Sequence, residues 1–203
     1  MKAKALKMQG QFEAAIELYE HVISLGKSET STIKSIYDMA LIRVAERDFY
    51  LAYYTLDRIE SIPTEIEYLY QLKVFLDGAV HMIKKKYKPG LDCLAAFDHT
   101  KVSDPDVARL ALSLRAFGHF NLGEISPALE LYNRLEAEGL ISEGDVYNKE
   151  ICRGILAGEA GEYLQAEQHF RRAEQLNRLK VEPYFYIAVG WRNAGAGPAE
   201  VHD

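Results

Sequence analysis

The chain has few of the residues that carry covalent or metal chemistry. Only two cysteines occur in 203 residues, Cys93 and Cys152, and their separation fits neither a disulfide framework nor a zinc or redox pair. A reducing cytoplasmic setting is therefore the expectation. None of the six histidines has a second histidine three or four residues away with a carboxylate between, so the helical zinc signature is missing. No glycine-rich phosphate loop occurs. Gly154, Gly158 and Gly161 are spaced for helix packing and a turn, and no strand pattern precedes them. Excess basic charge is lacking too: 24 lysines and arginines face 30 acids, for a net charge of −6. That argues against a phosphate backbone as ligand, because such binders carry a basic footprint. The one basic run, Lys84-Lys85-Lys86, falls at the expected end of a helix, where cations complement the dipole. No apolar run approaches the length of a membrane span. The N-terminus, MKAKALKMQGQ, has no apolar core of the kind a signal peptide needs. Sustained two-residue alternation and hairpin dipeptides between apolar runs are also missing, so strands are not expected. No cofactor and no metal site is expected, and an enzyme is the reading with least support.

The chain does contain a repeat. Residues 161–173 read GEYLQAEQHFRRA, residues 10–22 read GQFEAAIELYEHV, and residues 123–135 read GEISPALELYNRL. A small residue precedes each turn at Ala3, Ala40, Gly78, Ala116, Gly154 and Ala188, at steps of 37, 38, 38, 38 and 34. A second small residue follows the turn at Ala15, Ala52, Gly90, Ala128 and Ala166. Four further on stands a large one: Tyr19, Leu56, Leu94, Tyr132 and Phe170. Offsets of three and four share one helical face. Small residues on both helices let their axes approach, and the large residues fill the groove between them. Each unit is thus a helix, a short turn and a second helix. Ser126-Pro127 and Asp104-Pro105 read as helix starts, each an N-cap followed by proline at the first helical position.

This pattern resembles the tetratricopeptide repeat. Residues 147–176 are the best copy, with Gly154, Gly161, Ala166, Phe170 and Ala173 in the family's small and aromatic places. The resemblance covers about residues 1–195. It implies an all-α solenoid, a right-handed superhelix of about five helix-turn-helix repeats (about 1–26, 33–62, 71–100, 109–140 and 147–177) and one terminal helix, 181–195. Residues 196–203 read as a flexible tail. The step of 38 exceeds the family's usual 34, so the segments between repeats are expected to be longer by about one helical turn. The terminal helix carries Tyr184, Phe185, Tyr186, Ile187, Val189 and Trp191. A cover from a partner or a second copy is one reading. Burial of one face on the fifth repeat with exposed rings on the other is the alternative.

The resemblance places ligands in a concave groove lined by the first helices. The matching positions are Tyr37, Leu41, Leu72, Phe75, Leu76, Ala79, Met82, Leu110, Leu114, Phe117, Phe120, Ile151 and Ile155, joined by Asp38, Val44, Ser113 and Cys152. A groove of that composition suits an amphipathic helix or a hydrophobic peptide. The same rows also suit ordinary inter-helix core. The lysine, arginine and asparagine clamp of chaperone-binding members is absent, since Tyr37, Leu41, Leu76, Leu110 and Leu114 stand there. The seventh position, usually leucine in the family, is Asp77, Arg115 and Arg153. With His81 and His119 it forms a polar row at steps of 38, in which Asp77 has Arg115 as a candidate partner. That row reads either as an anion contact line or as a structural ion-pair ladder. The leading functional expectation is a protein-interaction scaffold or adaptor that takes a partner segment in the groove and assembles with other subunits. A regulatory array that controls an effector in a longer polypeptide is the alternative.

Overall fold

The structure, a computed structural model, describes residues 2–26, 28–59, 66–102, 104–180 and 182–193. The proposed tail 196–203 and the side chain of Trp191 lie outside the described residues. The fold is all-α, with consecutive helices packed on one another as in a solenoid. Among the described residues the helices are α1 (Lys2–Met8), α2 (Phe12–Leu25), α3 (Glu29–Ala45), α4 (Phe49–Leu56), α5 (Glu67–Ile83), α6 (Tyr87–Ala95), α7 (Pro105–Asn121), α8 (Ile125–Ala137), α9 (Glu143–Glu159), α10 (Tyr163–Leu176) and α11 (Glu182–Asn193). One 3-10 turn, His99–Lys101, follows α6. The chain forms two compact units, Met1–Ala111 and Leu112–Asp203, which divide within α7.

The first helices α3, α5, α7 and α9 are each 17 residues long. They begin at 29, 67, 105 and 143, a constant step of 38. Each of these repeats thus opens with a first helix of the same length and register. Three of the four starts have a side-chain cap at the same register. Ser28 Oγ accepts from the Ser31 N–H, Asp104 Oδ1 accepts from the Asp106 N–H, and Ser142 and Asp145 form a reciprocal capping box. Pro105 takes the first helical position as expected. Ser126-Pro127 does not. Glu124 is the N-cap of α8, and Pro127 sits at its third residue, where a missing N–H costs no intrahelical bond.

Within each pair the turn is the same. Gly10, Arg47, Lys85, Gly123 and Gly161 have φ of 73°, 64°, 56°, 77° and 79°. At each, the N–H of the left-handed residue bonds the carbonyl three back, and the next N–H bonds the carbonyl five back. Gly123 to Phe120 is 3.1 Å and Glu124 to His119 is 2.9 Å. This closes the first helix, and the residue that makes the longer bond is itself the N-cap of the second.

The small-against-large packing read from the sequence is the physical interlock of the pairs. A Cβ on Gly154 would stand 2.4 Å from Phe170 Cε1, and one on Gly78 would stand 2.6 Å from Leu94 Cγ. In the first unit Ala3, Ala15, Tyr19, Met39 and Ile42 form one cluster. Phe75 of α5 is enclosed between Phe49 and Phe97, with ring centroids at 6.0 and 5.8 Å. In the second unit Ala116, Ala128, Tyr132, Leu135 and Cys152 form a core, and Tyr147, Ile151, Ala166, Phe170 and Ala173 form another. Burying each large side chain stabilises the fold by about 1.5–3 kcal/mol.

Candidate functional site

Nine of the thirteen expected groove residues are core. Leu72, Phe75, Leu76 and Ala79 have no exposure, and Tyr37, Leu41, Met82, Leu110 and Ile151 are buried as well. Leu114, Phe117, Phe120 and Ile155 are half-buried, on α7 and α9 of the second unit. Phe120 packs against both clusters of that unit. The apolar rows of the first helices are thus largely consumed by helix packing, the alternative their spacing left open.

The polar row is the part that reaches solvent. Asp77, His81, Arg115, His119 and Arg153 are all half-buried. The ionic partners of Asp77, His119 and Arg153 lie on their own helix or just past its turn. Lys73 Nζ is 3.1 Å from Asp77 Oδ1, His119 Nδ1 is 2.5 Å from Glu124 Oε2, and Arg153 Nη1 is 3.1 Å from Glu150 Oε1. Glu150 is buried and also meets His169 of α10 at 2.8 Å. Burial pushes the Cys93 thiol on α6 up, and the Asp77 carboxylate adds to the rise. Asp77 of this row thus lies near α6. Contacts of this kind add little net stability when exposed. The Glu150–His169 pair is the one of these contacts that ties a first helix, α9, to a second helix, α10.

Several buried polar groups have structural partners. The Asp145 carboxylate accepts from the Ser113 hydroxyl at 2.5 Å and from the Ser142 hydroxyl at 2.6 Å. The buried Lys149 ammonium is paired with Glu136, whose carboxyl it holds below the usual range. Among the described residues no three His, Cys, Asp or Glu side chains gather as a metal site requires, and no helix is long and apolar enough to cross a membrane.

Three surface features remain. The first is a tyrosine face on α4 that the sequence reasoning did not single out. Tyr50, Tyr53 and Tyr54 stand three and four residues apart, and Tyr54 is 63% exposed. Lys73 Nζ of α5 lies 3.5 Å above the Tyr53 ring, and Lys84 Nζ lies 5.7 Å from the Tyr50 ring. Tyr70 of α5 is exposed as well. The run FYLAYYTL was the available signal: it carries three tyrosines where the other second helices carry mixed polar residues. The second feature is a cleft of about 450 Å³ between α1, α2 and α3, which contains Asp38, one of the residues assigned to the groove. The third is a smaller cleft of about 200 Å³ among α9, α10 and α11, floored by Gly154 and Gly158. Beside it Tyr186 stacks on Phe170 with centroids at 5.2 Å. Tyr184 and Phe185 of α11 are exposed, and the Tyr184 hydroxyl donates to Glu174 at 2.7 Å. The terminal helix thus packs one face on α10 and leaves rings on the other.

Comparison with models of known protein families and with curated proteins returned no match.

Proposed function

We propose that the chain is a protein–protein interaction scaffold made of tetratricopeptide-like helix pairs, which holds a protein partner within a larger cytoplasmic complex. The observation that carries this reading is the tyrosine face of α4. Rings presented at three- and four-residue spacing on a helix locked by core packing are pre-organised anchors: two torsions each, a large apolar area and a hydroxyl at the tip. Lys73 and Lys84 hold two of the rings in place from α5 and the residue after it. The apolar groove expected from the family resemblance is a weaker basis, because most of its residues are core.

The test is quantitative capture from a lysate of the source cell, with the wild-type chain compared against Tyr50→Ala/Tyr53→Ala/Tyr54→Ala. Circular dichroism verifies the fold of the variant, and Leu164→Ala on exposed α10 surface serves as the control. Loss of specific co-purifying proteins with the triple variant alone supports the reading. Identical recovery from all three chains rejects it.

A further inference from the structure

The cleft between α1, α2 and α3 carries lysines at its rim. Lys2, Lys4 and Lys34 are exposed at its rim, with His21 beside them. Among the described residues none of these three lysines has a carboxylate within 4.0 Å. Lys7, Lys73, Lys88, Lys101 and Lys149 are each ion-paired, whereas the run Lys84-Lys85-Lys86 after α5 has no carboxylate within 4.0 Å among the described residues, like the lysines of the cleft. What distinguishes Lys2, Lys4 and Lys34 is that they line one cleft, in a chain whose acids outnumber its bases by 30 to 24.

The interior of the cleft is mixed. Leu18 and Val22 of α2 supply half-buried apolar wall. Tyr19 is buried beneath them, and its hydroxyl donates to Asp38 Oδ2 at 3.2 Å. Burial and the Asp38 carboxylate hold that phenol above its ordinary range, so it stays a hydrogen-bond donor. The Asp38 charge near the floor disfavours a phosphate driven deep into the cleft. Acidic groups are accommodated at the rim and apolar groups against the wall. A volume of about 450 Å³ takes a few side chains, not a folded domain.

We infer that this cleft binds an acidic, partly apolar peptide segment of a protein partner, with carboxylates on Lys2, Lys4 and Lys34 and an aliphatic or aromatic side chain against Leu18 and Val22. The inference rests on the scaffold reading but uses a surface separate from the tyrosine face. Opposite charges at such a rim set orientation and association rate more than affinity.

The test is selection of a random dodecapeptide library on the full chain, followed by fluorescence anisotropy of the recovered peptides. Enrichment of peptides with several Asp or Glu around an apolar residue is expected. Their binding should weaken about tenfold or more in Lys2→Glu/Lys4→Glu/Lys34→Glu and with added salt. It should be unchanged in Tyr50→Ala/Tyr53→Ala/Tyr54→Ala. The milder Lys2→Gln/Lys4→Gln/Lys34→Gln guards against a folding defect, which circular dichroism would reveal. Recovery only of peptides that depend on the three tyrosines overturns this inference and leaves the scaffold reading standing. Recovery of no peptide sensitive to either set overturns both. Sedimentation that shows a dimer broken by the lysine variants assigns the cleft to a second copy and overturns the peptide assignment.

Discussion

Replacing Lys85 with glycine should stabilise the protein. Lys85 has φ of 56° at the turn between α5 and α6, where Gly10, Gly123 and Gly161 occupy the equivalent turns. A side chain in the left-handed region brings Cβ close to the following carbonyl, at about 1–2 kcal/mol. Glycine removes that term but adds unfolded-state freedom of roughly 0.5–1 kcal/mol. Lys85 is exposed, so little packing is lost. The net gain is about 0.5–1 kcal/mol, or a rise in midpoint of about 0.3–0.5 M in urea for a slope near 2 kcal/mol/M. Urea titration at pH 7 followed by circular dichroism measures it. A graded series sharpens the test: Lys85→Asn should fall between wild type and glycine, and Lys85→Val should be less stable than wild type. The converse substitution isolates the backbone term, because a Cβ built on Gly123 or Gly161 meets nothing within 4 Å. Gly123→Ala should therefore cost about 1 kcal/mol through backbone conformation alone. If Lys85→Gly lowers the midpoint as glycine does inside a helix, the left-handed turn is not a source of strain and the reasoning fails.

Gly154→Ala should destabilise by about 1–3 kcal/mol because its Cβ collides with Phe170, and Phe170→Leu should recover part of the loss in a double-mutant cycle. Additive losses would refute the interlock. Phe75→Ala should cost about 3–5 kcal/mol, a core effect to be read by thermal denaturation. Burial lifts the Cys152 thiol to about 12, so at pH 8 a chromogenic disulfide should label Cys93 and leave Cys152 until urea is added. The neutral thiol is the folded form, so its stabilising share is full below the unfolded value of 9.0 and is lost as pH rises towards 12. Alkaline titration of Cys152→Ala should lack that part of the loss. Asp48→Ala should cost about 1 kcal/mol, because its carboxylate caps α4 by accepting from the Leu51 N–H at 2.9 Å. Chemical denaturation reads that loss, and an unchanged midpoint would discount the cap.

The features legible in the sequence were those that repeat. Residues that stand 16 apart across each turn, such as Gly154 and Phe170 or Gly78 and Leu94, turned out to touch. The common length of the first helices was not among the sequence expectations, although Ser28, Asp104 and Ser142 carry caps 76 and 38 residues apart. Ile66 breaks that series, and its helix starts without a side-chain cap. Spacing alone left the apolar rows open between groove and core, because apolar side chains on α5 satisfy a core and a binding surface equally well. What separated them was the half-buried position of Asp77 and Arg153, a signal the sequence already held in the charged seventh position. The left-handed turns at Arg47 and Lys85 had no residue-level signal, since neither is glycine, and only their alignment with Gly10, Gly123 and Gly161 marks them.

The shared turn residue has a consequence for how this molecule tolerates change in length. One residue ends the first helix and starts the second, so a pair has no slack at its middle. An insertion there breaks two helices at once. Between pairs the connections vary, with three residues between α2 and α3 and nine between α6 and α7, so no one length is required there. Inserts, cuts and permuted termini should be accepted between pairs and rejected within them. The practical unit of this protein is the 38-residue pair, one hinge-free clasp that can be lost or copied only whole.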